Sequence, residues 1–353
     1  MSCYHPLKGW KIDIHPSGKP KYKITSYDVL YLVKDSSNNW LECFEPINTD
    51  RYRQAIYDFI EIPCGHCIGC RLKYSADWAC RCMLELKNYK KPDGTYNAAF
   101  LTLTYNDESL PDKNVFYDAD GVEHNSPVHP LTKRHLQLFF KRLRKHYPEL
   151  KIRYYACGEY GKSMRPHYHA ILFGVDFHED KKLFKVKNGY MYYTSETVKK
   201  LWSNPKTKES YGFHIITDVT FDTCAYTARY VAKKLMGERS DVYELYSYPR
   251  EFSLVSRRPG LARDYYDNNK HEIYKYQEIF LDRKKVKPPR YYDKLFDIQY
   301  PEKMSEIKAE RLRLAKEHQK LKESLCSYSY SDMLLAEEMN TIASTKLLLR
   351  KEV

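Results

Sequence analysis

KIRYYACGEYGKSMRPHYHAILFGV, residues 151–175, decides the fold. Its two ends, KIRYYACGE (151–159) and HYHAILFGV (167–175), have strand composition, and the short polar stretch between them holds Gly161 and Pro166. That pattern predicts two strands folded into a hairpin. Successive side chains of a strand leave opposite faces, so His167, His169, Ile171 and Phe173 share one face while Tyr168, Ala170 and Leu172 share the other. Apolar residues on both faces mark a central strand covered on both sides. Two imidazoles two residues apart on one face can ligate one ion, and the returning hairpin brings Glu159 beside them as the third ligand. Two nitrogens and one carboxylate leave coordination positions for water and a phosphate oxygen, which suits Mg²⁺ or Mn²⁺ as a Lewis acid.

Working outward, AFLTLTY (99–105) reads as a strand and LTKRHLQLFFKRLRKHY (131–147) as a helix, with Leu136, Phe139, Phe140 and Leu143 at helical spacing. SETVKKLW (195–202) reads as a short helix, YGFHIITDVT (211–220) as a strand, and DTCAYTARYVAKKL (222–235) as a helix with Asp222 as its cap. The order βαββαβ followed by α predicts an α+β core over residues 99–237, an antiparallel sheet with helices on one side in the ferredoxin-like or RRM-like manner. Residues 1–98 read as a cysteine-bearing arm ending in an amphipathic stretch from about Leu72 to Tyr89. Residues 238–300 are a basic, Tyr-rich extension containing the linker RKKVKPPR (283–290), and residues 301–353 are C-terminal helices. Ile307, Leu314 and Leu321 fall at heptad spacing there, too few positions for a coiled coil, so a solvated helix is expected.

Lys and Arg outnumber Asp and Glu by 59 to 46 among 353 residues, a net charge of +13 that attracts polyanions. With no apolar run long enough to span a bilayer and no signal-peptide pattern, nucleic acid is the expected partner and a bacterial cytoplasm the expected compartment. The 34 tyrosines interleave with cations in a manner suited to unpaired bases, although runs such as GYMYY and YSYSD read equally as half-buried strands and loops.

Tyr226 and Tyr230 lie four residues apart on the last core helix, about 40° apart around its axis at roughly 100° per residue. Cys224, Ala228, Val231 and Leu235 form the apolar stripe, and the tyrosines lie roughly opposite its centre. Lys233 and Lys234 lie beside them, cations that lower a phenol's pKa and hold a phosphate. Two phenols near a metal define a chemistry: one attacks a phosphodiester, the 3′-hydroxyl departs and the 5′-phosphate stays on the protein, and the second phenol can attack in the next round.

FLTLTY (100–105), RPHYHAILFG (165–174) and YTARYVAKK (226–234) stand in the order of the three motifs of the HUH endonucleases, which this chain resembles. Tyr168 occupies the position where the family name implies a hydrophobic residue, a departure the pattern tolerates. Cys3 followed by Pro6, PCGHCIGCR (63–71) and SRRPG (256–260) are similar to the replication initiators of small single-stranded DNA phages, the gokushovirus-type microviruses. That likeness extends over roughly residues 1–265. It implies an HUH nuclease core, His167 and His169 as metal ligands, Tyr226 and Tyr230 as nucleophiles, and rolling-circle initiation by nicking and joining single-stranded origin DNA. A single-strand binding protein without catalysis, or an HUH transposase or mobilisation nickase, are the alternatives. There is no GxxxxGK[ST] phosphate loop, so host helicase and polymerase are the expected partners.

Cys64, Cys67 and Cys70 form overlapping CxxC pairs, with Gly65 and Gly69 as the flexible points of a zinc knuckle. The knuckle is one ligand short. The resemblance points to Cys3 as the fourth, with His66, Cys43 and Cys80 left open. Such a Zn²⁺ site is structural or DNA-binding, not catalytic.

Overall fold

A computed structural model describes residues 3–161, 163–187, 189–232, 241–281, 284–325 and 327–349. It falls into two compact units, Met1–Lys73 with Ala309–Val353, and Tyr74–Lys308.

The first unit carries β1 (Leu7–Ile14), β2 (Pro20–Thr25), β3 (Tyr31–Lys34), β4 (Trp40–Cys43), β5 (Gln54–Ile56) and β6 (Phe59–Ile62). They form two three-stranded antiparallel sheets, ordered β2-β1-β6 and β4-β3-β5. Trp10, Val29 and Leu32 make one small core, and Tyr31, Val33 and Cys43 another.

After α1 (Ile68–Leu86), the second unit runs β7 (Ala98–Thr104), β8 (Val115–Tyr117), β9 (Glu123–Asn125), α2 (Lys133–His146), β10 (Arg153–Tyr160) and β11 (Pro166–Phe173). There follow β12 (Lys181–Lys187), β13 (Tyr190–Ser195), α3 (Glu196–Leu201), β14 (His214–Thr217), α4 (Phe221–Ala232), α5 (Asp241–Leu245) and β15 (Phe252–Val255). The chain ends with α6 (Arg263–Tyr276), β16 (Ile279–Leu281), β17 (Lys284–Val286), α7 (Arg290–Gln299), α8 (Pro301–Ser324) and α9 (Tyr330–Leu349). Seven strands build one antiparallel sheet in the order β12-β13-β14-β7-β11-β10-β15, with β11 flanked by β7 and β10.

The structure is mixed α and β, with helices on both faces of this sheet rather than one. Leu101, Leu103, Tyr168, Ala170 and Leu172 pack with Leu136, Phe139, Phe140 and Leu143 of α2 and Val198 of α3. Phe100, Tyr155, Ile171 and Phe173, on the opposite face, pack with Ala79, Cys82 and Leu86 of α1 and Cys224 and Ala228 of α4. The cause is β11 itself, apolar on both sides, so each face loses free energy in water until it is covered. Cys82 thus faces the sheet, whereas Cys80 of the same helix joins the separate cluster formed by α6 and α7.

Three local readings are corrected. Asp222 lies in the first turn of α4, but Thr220 caps it: the Thr220 hydroxyl accepts from the Thr223 amide at 3.2 Å, and the Thr223 hydroxyl accepts from the Thr220 amide at 2.9 Å. Within the basic linker, Lys284–Val286 pair with β16, and Arg290 opens α7. Gly69 is helical in α1, leaving Gly65 with its φ of +83° as the flexible residue of the knuckle. The solvated reading of α8 holds, with Leu314 and Leu321 more than half exposed. Among the described residues no helix is long and apolar enough to cross a membrane.

Candidate active site

Glu159 and His167 are direct cross-strand partners on β10 and β11, and His169 pairs with Cys157 one step along the same face. The β10–β11 hairpin therefore brings together the three side chains that strand parity selects. Both imidazole Nε2 atoms converge on one carboxylate oxygen, with His167 at 2.8 Å and His169 at 2.9 Å from Glu159 Oε1. Glu159 and His169 are buried, while the His167 side chain keeps 20% of its exposure, so the cluster opens to solvent on the His167 side.

The hydrogen bonds behind the rings bear on what this cluster holds. His167 Nδ1 lies 3.2 Å from the Arg165 carbonyl oxygen, which can only accept, so the ring proton belongs on Nδ1. The Nε2 lone pair then faces a carboxylate oxygen, and two acceptors at hydrogen-bond distance repel unless a cation lies between them. His169 Nδ1 is fixed by the Thr102 hydroxyl at 3.0 Å. Burial raises the Glu159 carboxyl, but its bonds to His167 and His169 outweigh that and hold it below the usual glutamate range, as a charged group. The donor set and its outer partners fit a divalent cation.

Tyr226 stands against this cluster. Its ring meets His169 edge-on at 5.3 Å and Phe100 at 6.3 Å, and Phe100 stacks on His169 at 5.6 Å with an interplanar angle of 9°. The helical wheel placed Tyr226 opposite the apolar stripe, and α4 shows how both sides are used. Cys224 and Ala228 are fully buried, and Ser75 Oγ of α1 donates to the Ala225 carbonyl at 3.0 Å. Held from that flank, α4 presents half-buried Tyr226 to the sheet. Tyr230 lies one turn further along the α4 backbone, and its side chain lies outside the described residues, as do Lys233 and Lys234 entirely.

A family model for replication-associated proteins of the ORF2 type matches residues 98–235, from β7 through the end of α4. The chain is 33% identical over 287 residues to replication-associated protein ORF2 of Spiroplasma virus 4, covering 78% of this chain and 81% of that protein. It is 27% identical over 249 residues to replication-associated protein VP4 of Bdellovibrio phage phiMH2K, covering 70% and 71%. The chain belongs to this family of phage replication-associated proteins. No solved structure matches it at comparable significance.

In this replication-associated protein the other ligand cluster lies in the first unit. The sulfurs of Cys3, Cys64, Cys67 and Cys70 lie within 4.8 Å of one another, near the ~3.8 Å edges of a tetrahedron with Zn–S bonds of about 2.3 Å. Backbone amides point at the sulfurs: Cys64 N–H to Cys3 at 3.2 Å, Cys67 N–H to Cys64 at 3.3 Å, and Tyr4 and Cys70 N–H to Cys67 at 3.4 Å. Burial raises the Cys67 thiol, but the Cys70 and Tyr4 amides outweigh it and bring it to about 7, while burial pushes Cys3 up to about 11. Cys43 and Cys80 are buried in other clusters, and His66 turns its Nδ1 to the Cys64 carbonyl at 3.0 Å.

Several site residues were not singled out from the sequence. Thr102 and Thr104 are the cross-strand partners of His169 and His167. Their alternation in FLTLTY was a usable signal once that strand was placed beside β11. Gly161 has no such signal, yet a Cβ there would lie 2.8 Å from His167 Cε1, so a side chain would push the ring.

Proposed function

We propose that this replication-associated protein initiates rolling-circle replication by cutting and rejoining single-stranded origin DNA through a covalent 5′-phosphotyrosine, inside the bacterial host. The observation that carries this reading is the Tyr226 ring 5.3 Å from that of His169, whose Nε2 converges with His167 on Glu159. Glu159, His167 and His169 would hold Mg²⁺ or Mn²⁺, which when bound supplies Lewis-acid polarisation of the scissile phosphate.

The Tyr226 oxygen attacks phosphorus, the new bond forms to the 5′-phosphate, and the bond to the 3′-oxygen breaks. The phenol proton is released, the 3′-oxygen takes one up, and a 3′-hydroxyl primer results. Since one phosphodiester replaces another, the reaction runs backward when a 3′-hydroxyl attacks, which is joining. Tyr230 acts in the following round, and Lys233 and Lys234 attend the phenols and the phosphate. Phe100 and Thr102 fix the plane and the tautomer of His169, so the ligand enters already oriented. Cys3, Cys64, Cys67 and Cys70 would hold a structural Zn²⁺.

Labelled single-stranded oligonucleotides spanning the viral origin, incubated with Mn²⁺ and run under denaturing conditions, test the proposal. A protein–DNA adduct that forms with the ion and disappears with EDTA is expected. Binding without any adduct would favour a single-strand binding protein and overturn the nuclease reading.

A further inference from the structure

The sheet face bearing Glu159, His167 and His169 continues beyond the cluster, and the strand register shows what it carries. His169 stands opposite Thr102, and Thr102 opposite Ile215. Ile216, on the reverse face with Leu101, stands opposite Tyr193 of β13. Because side chains alternate, Tyr192 and Tyr190 return to the metal face, together with their partners Lys185 and Lys187, and Lys182 beside Thr194. Lys181, Leu183, Val186, Met191 and Tyr193 point to the reverse. The cation–ring contacts agree with this parity: Lys181 lies over Tyr193 at 4.6 Å and Lys185 over Tyr192 at 4.9 Å. Three of the four hairpin lysines thus share the metal face, and residues 181–195 contain no acidic residue.

An aromatic bridge joins this hairpin to the cluster. Thr104, the partner of His167, donates from its amide and its hydroxyl to the Phe213 carbonyl, each at 2.9 Å. The Phe213 ring meets Phe184 at 5.3 Å, and Phe184 occupies the bulge where the β12–β13 register shifts. Phe213 and Tyr190 are each 48% exposed and Phe184 53%. Rings left in water beside ammonium groups match a ligand that offers flat apolar faces and regularly spaced negative charge together.

We propose that Phe213, Phe184, Tyr190 and the lysines 182, 185 and 187 form a track for single-stranded DNA that grips the strand flanking the phosphodiester at the histidine cluster. Bases stack on the rings and phosphates meet the ammonium groups. A duplex keeps its bases stacked inside and has no free face to offer, so the track selects the unpaired strand. With neighbouring strands about 4.8 Å apart, β12 lies about 19 Å from β11, so the grip falls several nucleotides from the cut. The proposal rests on the nuclease reading of the cluster.

The test is anisotropy of fluorescein-labelled oligo-dT with the full chain in EDTA, where cutting does not interfere. Phe184→Ala with Phe213→Ala should weaken binding roughly 10- to 100-fold. Lys182→Gln, Lys185→Gln and Lys187→Gln together should flatten the slope of log affinity against log salt by about 2, at about 0.7 per phosphate contact. Leu183→Ala with Val186→Ala, on the reverse face, should change affinity less than about twofold. Unchanged binding in both metal-face variants, an equal loss from the reverse-face pair, or tighter binding of duplex would overturn the track. The two readings fail separately. If His169→Ala still nicks while the track variants lose binding, the cluster assignment falls and the track stands; if nicking needs His169 but oligo-dT binding ignores the track variants, the track alone falls. Circular dichroism melts within a few degrees of wild type confirm that the surface variants are folded.

Discussion

The two ligand clusters differ in what they leave over. Cys3, Cys64, Cys67 and Cys70 supply four sulfurs, three of them within seven residues of chain, and backbone amides surround them. Four soft ligands complete a tetrahedron, which leaves no position for a substrate. Glu159, His167 and His169 supply only three hard or borderline donors, with His167 partly exposed and Tyr226 beside the buried His169. That set leaves positions for phosphate and water. The same chain thus holds one site whose chemistry is finished by folding and another that is finished only by substrate.

This contrast yields tests of decreasing size. His169→Ala removes a donor from the open site and should lower single-turnover nicking about 10³-fold in Mn²⁺ while leaving oligonucleotide binding within a few fold. Comparable nicking rates in wild type and variant would place the metal elsewhere. Cys64→Ser with Cys67→Ser attacks the closed site: elemental analysis should fall from about one zinc per chain to none, with a lowered melting temperature. Zinc retained in that double variant would break the comparison.

Thr102→Val removes the oxygen behind His169 without touching a ligand, and should weaken Mn²⁺ binding about 10- to 100-fold by calorimetric titration. No change would mean that Phe100 alone orients the ring. The smallest effect is expected at the α4 cap, where Thr220→Ala should cost about 1 kcal/mol in urea unfolding, whereas Asp222→Ala should cost less. A reversed order would return the cap to Asp222.

How legible each part was follows from the range of the interactions involved. The Glu159, His167 and His169 grouping could be read because strand parity and one short hairpin suffice to build it. The β12–β13 hairpin was seen only as the Tyr-rich run GYMYY. Strand β12 is exposed along nearly its whole length and bulged at Phe184, so hydrophobic alternation never develops. Edge strand β15 is four residues long and joins β10 across about a hundred residues of sequence, a pairing without local signal. The grouping of residues 309–353 with the N-terminal unit is likewise non-local: Tyr4 bonds Thr341 at 2.7 Å, and His5 bonds Glu338. The double-sided helical cover was implicit in β11, whose two apolar faces contradicted the expectation of helices on one side. α4 shows the limit of a helical wheel, which ranks faces by hydrophobicity but does not say which neighbour each face meets.

The most direct test of the central claim is to map the covalent adduct. Wild type and Tyr226→Phe are each incubated with an origin oligonucleotide and Mn²⁺, denatured, digested and sequenced by mass spectrometry. The account predicts DNA on Tyr226 in the wild type, with or without a fraction on Tyr230, and on Tyr230 in Tyr226→Phe. An adduct on any tyrosine outside α4, or one that survives replacement of both Tyr226 and Tyr230 by Phe, would contradict it.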